Sequence, residues 1–229
     1  TVIRKITLDG QASVLAAADA FPRPPKFLND IVADADGNLY VSDSGDLKGA
    51  DGAVYRITPA GKVSLVTDAA KAPALKAPNG LLVDDAKHLL LLDFISGQLS
   101  RLALDTGALE KLADGFEGGD GLARDIDGNL YVSQWTTGRV SVLPFTGGPA
   151  ITLSSQFTSA ADTCINLKNG QLIVPDMKAG TVTALSLFSH VPRDIDTSPL
   201  PLTVEPAFEK LRFERPILLT HAGDGTNRV

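Results

Sequence analysis

The chain has one cysteine, Cys164, so no internal disulfide can form and the fold must be held by its core and its hydrogen bonds. No stretch approaches the roughly 18 consecutive apolar residues of a membrane-spanning helix. The longest aliphatic run, Leu89–Leu92, is the size of a strand. Positive charge is in deficit, with 21 Lys and Arg against 27 Asp and Glu, a net charge of −6. That balance argues against a nucleic-acid partner and against an anionic membrane surface, and it suits a soluble enzyme or a cation-binding surface. Histidine is scarce too. His88, His190 and His221 have no metal-type spacing to one another, and no Gly-x-Ser-x-Gly elbow accompanies them. Gly118-Gly119-Asp120-Gly121 is read as a turn, because no Lys-Ser/Thr and no helix follow it as in a phosphate loop. Sustained helical periodicity is absent throughout.

What the sequence does have is a repeat. Asn38-Leu-Tyr-Val-Ser-Asp43, His88-Leu-Leu-Leu-Leu-Asp93, Asn129-Leu-Tyr-Val-Ser-Gln134 and Gln171-Leu-Ile-Val-Pro-Asp176 share one pattern, with spacings of 50, 41 and 42 residues. A period of about 40–45 residues with strand patterning points to the blades of a β-propeller. Asp36-Gly37, Asp127-Gly128 and Asn169-Gly170 precede the pattern and favour tight antiparallel turns. A glycine and a third strand follow, as in Gly138-Arg-Val-Ser-Val-Leu143, and then an outer strand such as Lys62–Val66. Arg4–Gly10 lines up with Tyr55–Gly61, so residue 1 is expected to enter at the third strand of a blade. The expectation is an all-β propeller, of which about four and a half blades occupy residues 1–190. The Pro-rich stretch 191–211 reads as a linker. Residues 212–229 resume a strand pattern, as a further blade or the start of a second domain.

Fourteen residues before Asp43, Asp93, Gln134 and Asp176 stand Asn29, Asn79, Asp120 and Asp162. Each lies just ahead of an apolar first strand, the strand that is innermost in a blade. Equivalent residues of successive blades are therefore expected to form one ring of carbonyl and carboxylate oxygens. Such a ring suits a hard cation such as Ca²⁺ and could also bind a sugar-like substrate. Asn or Asp before a strand often does no more than cap a turn. Four in register favour a site, with Asp162 the least like the others in its flanking residues. Asp43 and Asp93 are expected to bond to backbone, and Cys164 to be a packed thiol on an inner strand. Trp135 is open to either reading, at a channel mouth or in packing.

These residues resemble those of the senescence marker protein/gluconolactonase/luciferin-regenerating family. Leu28-Asn29-Asp30 with Asp36–Asp43, Pro78-Asn79-Gly80-Leu81, and Gly119–Ala123 with Asp127–Val132 are similar to three of its motifs, in the same order and register. The resemblance implies a six-bladed propeller with a divalent cation, Ca²⁺ foremost and Zn²⁺ or Mg²⁺ as alternatives, and hydrolysis of lactones or related esters. It implies Asn79 and Asp120 as metal ligands, Asp120 also as general base, Asn29 as a substrate contact and Asp162 as an additional ring residue. The family's remaining ligand is a Glu in the first blade, which would fall upstream of Thr1. Its vertebrate members carry an Arg where Phe27 stands, which puts sugar-acid specificity in doubt. Arg212–Val229 resembles the opening of glucose/sorbosone dehydrogenase-like proteins, which implies fusion to a downstream domain. Two other readings stay open: a non-catalytic propeller that binds protein or glycan, and an accessory domain of a sugar oxidoreductase.

Overall fold

A computed structural model describes residues 2–187. The linker expected at 191–211 and the strand pattern expected at 212–229 lie outside the described residues. Among the described residues seventeen strands run in order: β1 (Ile3–Ile6), β2 (Ala12–Ala16), β3 (Leu28–Ala33), β4 (Leu39–Asp43), β5 (Ala53–Ile57), β6 (Val63–Asp68), β7 (Pro78–Asp85), β8 (His88–Asp93), β9 (Leu99–Ala103), β10 (Leu109–Ala113), β11 (Gly119–Arg124), β12 (Leu130–Gln134), β13 (Arg139–Leu143), β14 (Ile151–Ser154), β15 (Cys164–Asn166), β16 (Gln171–Asp176) and β17 (Thr181–Ser186). Three four-stranded antiparallel meanders, β3–β6, β7–β10 and β11–β14, are flanked in sequence by the pair β1–β2 and the three strands β15–β17. Repeated four-stranded meanders of this kind are the blades of a β-propeller. No helix among the described residues is long and apolar enough to cross a membrane.

The chain divides into two compact units between Glu117 and Gly118. In the first, alternate residues of β4 feed two cores. Val41 joins Phe21, Leu28, Tyr55 and Ile57, whereas Tyr40 joins Leu75, Leu81, Leu89 and Leu91. A strand buried on both faces gains from an apolar residue at every position. That accounts for Leu89–Leu92, all four of which are at most 1% exposed. In the second unit Ala123, Tyr131, Val140, Ala160, Leu172 and Val174 form the corresponding core.

The Asp-Gly-Asn turns are built around an aspartate that precedes them. Asp125 accepts the N–H groups of Asp127 and Asn129 on one oxygen, and the Asn129 amide and the Tyr131 hydroxyl on the other. Asp34 makes the same four bonds with Asp36, Asn38 and Tyr40. Burial pushes both carboxyls up, but these donors outweigh it and hold them below the usual carboxylate value. A folded-state pKa below the unfolded value of about 3.9 gives stability that is present above that value and lost as pH falls through the folded pKa. Asp125→Ala is therefore expected to cost about 1–2 kcal/mol at pH 7. Urea denaturation of both proteins between pH 7 and pH 2 should show that difference shrinking below about pH 4.

Candidate functional site

Each inner strand carries a β-bulge at its start. Leu28 pairs with Asp43 and Ile31 with Val41, so Asn29 and Asp30 together oppose Ser42. Asn79 and Gly80 oppose Leu92 in the same way, and Asp120 and Gly121 oppose Ser133. Bulges re-aim side chains and recur at functional positions. Asn29, Asn79 and Asp120 thus share one position, the first residue of the bulge.

In the first unit two such bulges are tied together. Asn29 Nδ2 donates to Ser44 Oγ at 3.0 Å, and Ser44 Oγ donates to the carbonyl of Pro78 at 2.7 Å. Asp30 Oδ2 accepts the N–H of Leu81 at 2.6 Å while its Oδ1 accepts that of Ile31. Neither Ser44 nor Asp30 stands out in the sequence, because their partners lie in the next sheet. With Nδ2 engaged, Asn29 keeps its amide oxygen for another donor. Asn79 is 3% exposed, and its side chain meets no hydrogen-bond partner among the described residues. Among the described residues the buried side-chain atoms without a hydrogen bond are Arg101 Nε and Gln171 Oε1, so the Asn79 amide keeps some access from outside and is open to a ligand.

In the second unit the register corrects one sequence expectation. Asp176 bridges to Ala160, and Met177 donates to the carbonyl of Ser159 as Ser44 does to Phe27. Ala161 therefore occupies the position of Asn29, Asn79 and Asp120, and Asp162 that of Asp30, Gly80 and Gly121. The cause is one additional residue in the hairpin between β15 and β16. Asp162 is nonetheless a close neighbour of the bulge. A Cβ on Gly121 would stand 2.6 Å from Asp162 Oδ1 and 2.7 Å from its Cα, so only glycine fits there. Burial pushes the Asp162 carboxyl up to about 6, against the N–H of Thr163 that it accepts at 2.8 Å. Cys164 also departs from expectation, because it is exposed. Alternation along the short β15 turns Ile165 to the core and Cys164 away from it.

The carboxylates at the ends of the second strands have a different role. Asp43 accepts the N–H groups of Lys26, Phe27 and Gly45, and Asp176 those of Thr158, Ser159 and Ala179. Asp93 accepts from Lys76, Ala77, Ile95 and Ser96. They bind the connection between sheets to the backbone, as expected for Asp43 and Asp93. Gln134 takes this place in the third meander and accepts from Arg139 Nε at 2.6 Å.

Among the described residues no three His, Cys, Asp or Glu side chains gather as a metal group. The first bulge position carries an amide at Asn29 and Asn79 in the first unit and a carboxylate at Asp120 in the second, residue types whose oxygens are hard donors of the kind Ca²⁺ or Mg²⁺ takes. The unpartnered amide of Asn79 fits such a cation.

The antiparallel meanders with a bulged, polar first strand define the chain as a β-propeller protein. It belongs to the SMP-30/gluconolactonase/LRE-like region family, whose model matches residues 3–186. No curated protein matches the chain in a sequence search. Among solved structures it is similar to a chain in the crystal structure of a nidogen/laminin complex. There the identity is 18%, the TM-score is 0.62, and the match covers 76% of this chain and 64% of that one. At that identity the likeness is one of fold alone.

Proposed function

We propose that the chain carries the site of a divalent-cation-dependent hydrolase acting on lactones or related esters. The observation that carries this reading is Asn79, whose amide makes no side-chain hydrogen bond among the described residues and stands at the bulge position it shares with Asn29 and Asp120. Membership of the family supports it. Asn79 and Asp120 would hold the cation through oxygen. When bound, the cation would polarise the ester carbonyl and make a water more acidic. Asp120 takes the proton of the attacking water on a carboxylate oxygen. Asn29, fixed by Ser44, offers its amide oxygen to a substrate hydroxyl or to that water. Asp162, on the other position of its bulge, bears on Asp120 only through the backbone of Gly121.

Calcium titration of the protein, followed by calorimetry and by the melting temperature, tests the cation site. Binding should raise the melting temperature in proportion to the logarithm of excess Ca²⁺. Asn79→Ala should abolish that rise while changing the stability of the cation-free protein by less than about 1 kcal/mol, since no described bond is lost. Equal Ca²⁺ binding by the variant would remove Asn79 from the site. A wild-type chain that binds neither Ca²⁺, Zn²⁺ nor Mg²⁺ would be the non-catalytic binding module.

A further inference from the structure

Trp135 is the only tryptophan of the chain, and neither the core nor the chemistry assigned to Asp120 uses it. It follows directly on β12. The corresponding residues after β4, β8 and β16 are Ser44, Phe94 and Met177. All four donate their N–H to the carbonyl two residues before the bulge, Trp135 to Gly118 at 2.6 Å. In the first unit this position touches the first bulge residue, as the 3.0 Å bond from Asn29 to Ser44 demonstrates. In the second unit the bond from the Trp135 N–H to the Gly118 carbonyl puts the backbone of Trp135 at the corresponding position, against a residue two before Asp120.

The indole is held in place from two sides. Lys178 Nζ lies 4.1 Å from the ring centroid, and Nε1 donates to Met177 Sδ at 3.3 Å. Met177 itself is 66% exposed and adds a flexible thioether to this surface. With Nε1–H engaged by sulfur, this surface presents aromatic carbon and thioether with the Lys178 ammonium over the ring, and has no indole donor left for a hydroxyl.

We propose that Trp135 and Met177 form an apolar wall beside Asp120 that selects lactones bearing an alkyl chain over polyhydroxylated sugar-acid lactones. The proposal rests on the hydrolase reading above and names its substrate class. An alkyl chain laid on the wall leaves water and is favoured, whereas sugar hydroxyls placed there exchange several hydrogen bonds to water for those of the Lys178 ammonium alone.

Because Trp135 is unique, its fluorescence reports on the wall directly, with or without turnover. Titration of δ-decalactone into Asp120→Asn protein should give a saturable shift of the emission, and glucono-δ-lactone at equal concentration should not. In steady-state assays of the wild-type background, Trp135→Ala should raise KM for δ-decalactone by about tenfold with kcat within about threefold, the pattern of lost ground-state binding. Trp135→Phe should restore most of that loss, which separates the wall from a general defect in folding. An emission that responds equally to both lactones or to neither, or a Trp135→Ala variant impaired equally on both, overturns the proposal. If wild-type protein hydrolyses neither lactone while the emission still responds to δ-decalactone alone, the hydrolase reading fails and the apolar wall stands.

Discussion

Asp120→Asn is expected to lower lactone turnover by about 10²–10⁴-fold, the usual contribution of a positioned general base. The amide keeps an oxygen for a cation but cannot take a proton from water. The loss should therefore fall mainly on kcat, with cation binding weakened and not abolished. The control is Asp162→Asn. That carboxyl lies against Gly121, next in sequence to Asp120, yet it holds the second bulge position and accepts the N–H of Thr163. Its loss should change turnover far less than that of Asp120. Burial raises Asp162 to about 6, above an unfolded value of about 3.9, so its charge costs stability increasingly as pH rises from about 4 to 6. Asp162→Asn should accordingly not destabilise the protein at pH 7, and it isolates the effect of removing charge near the bulge. Steady-state kinetics with saturating Ca²⁺ on both variants decides the matter. Unchanged turnover in Asp120→Asn would sink the mechanism.

The repeat was legible in the sequence because it rests on strong local signals. Asp-Gly turns, period-two strands and the recurring Leu-Tyr-Val core pattern all agree with the strands found. The bulge position of Asn29, Asn79 and Asp120 was legible by counting, since in those three meanders the same number of residues separates it from the end of the second strand. Counting fails at Asp162, where one further hairpin residue moves the frame and puts Ala161 in the place of the others. A shift of one residue changes which side chain is aimed where, and single-sequence patterning does not register it. Asp30 and Ser44 were not legible for another reason. Their bonds to Leu81 and Pro78 join residues 51 and 34 positions apart, a relation that exists only once two sheets are side by side. Cys164 was misread because apolar neighbours in a three-residue strand do not say which face is covered.

The largest effect on stability is expected at Asp93, a carboxylate that the same counting also singles out. It is 2% exposed. One oxygen accepts the N–H groups of Lys76 and Ala77, both at 2.8 Å, and the other accepts those of Ile95 and Ser96 together with the Ser96 hydroxyl. Asp93→Ala strands these donors and leaves a cavity with no polar group to meet them. At about 1–3 kcal/mol for each buried donor left unsatisfied, and with some regaining water, the expected loss is about 3–5 kcal/mol. That is a large part of the roughly 5–15 kcal/mol that holds a domain together. Asp93→Asn should recover only part of it, because its NH₂ group must face donors on one side. Asn79 lies one residue beyond Pro78, the strand partner of Asp93, is equally buried, and should behave in the opposite way. Its truncation removes no described bond and should cost almost nothing in the cation-free protein. Chemical denaturation of Asp93→Ala and Asn79→Ala side by side, in chelator and then in Ca²⁺, therefore separates the two kinds of polar residue. Asp93 should matter to the same extent in both conditions, and Asn79 only when the cation is present. If both variants lose stability equally in chelator, Asn79 is a structural residue and the bulge position loses its claim to be a site.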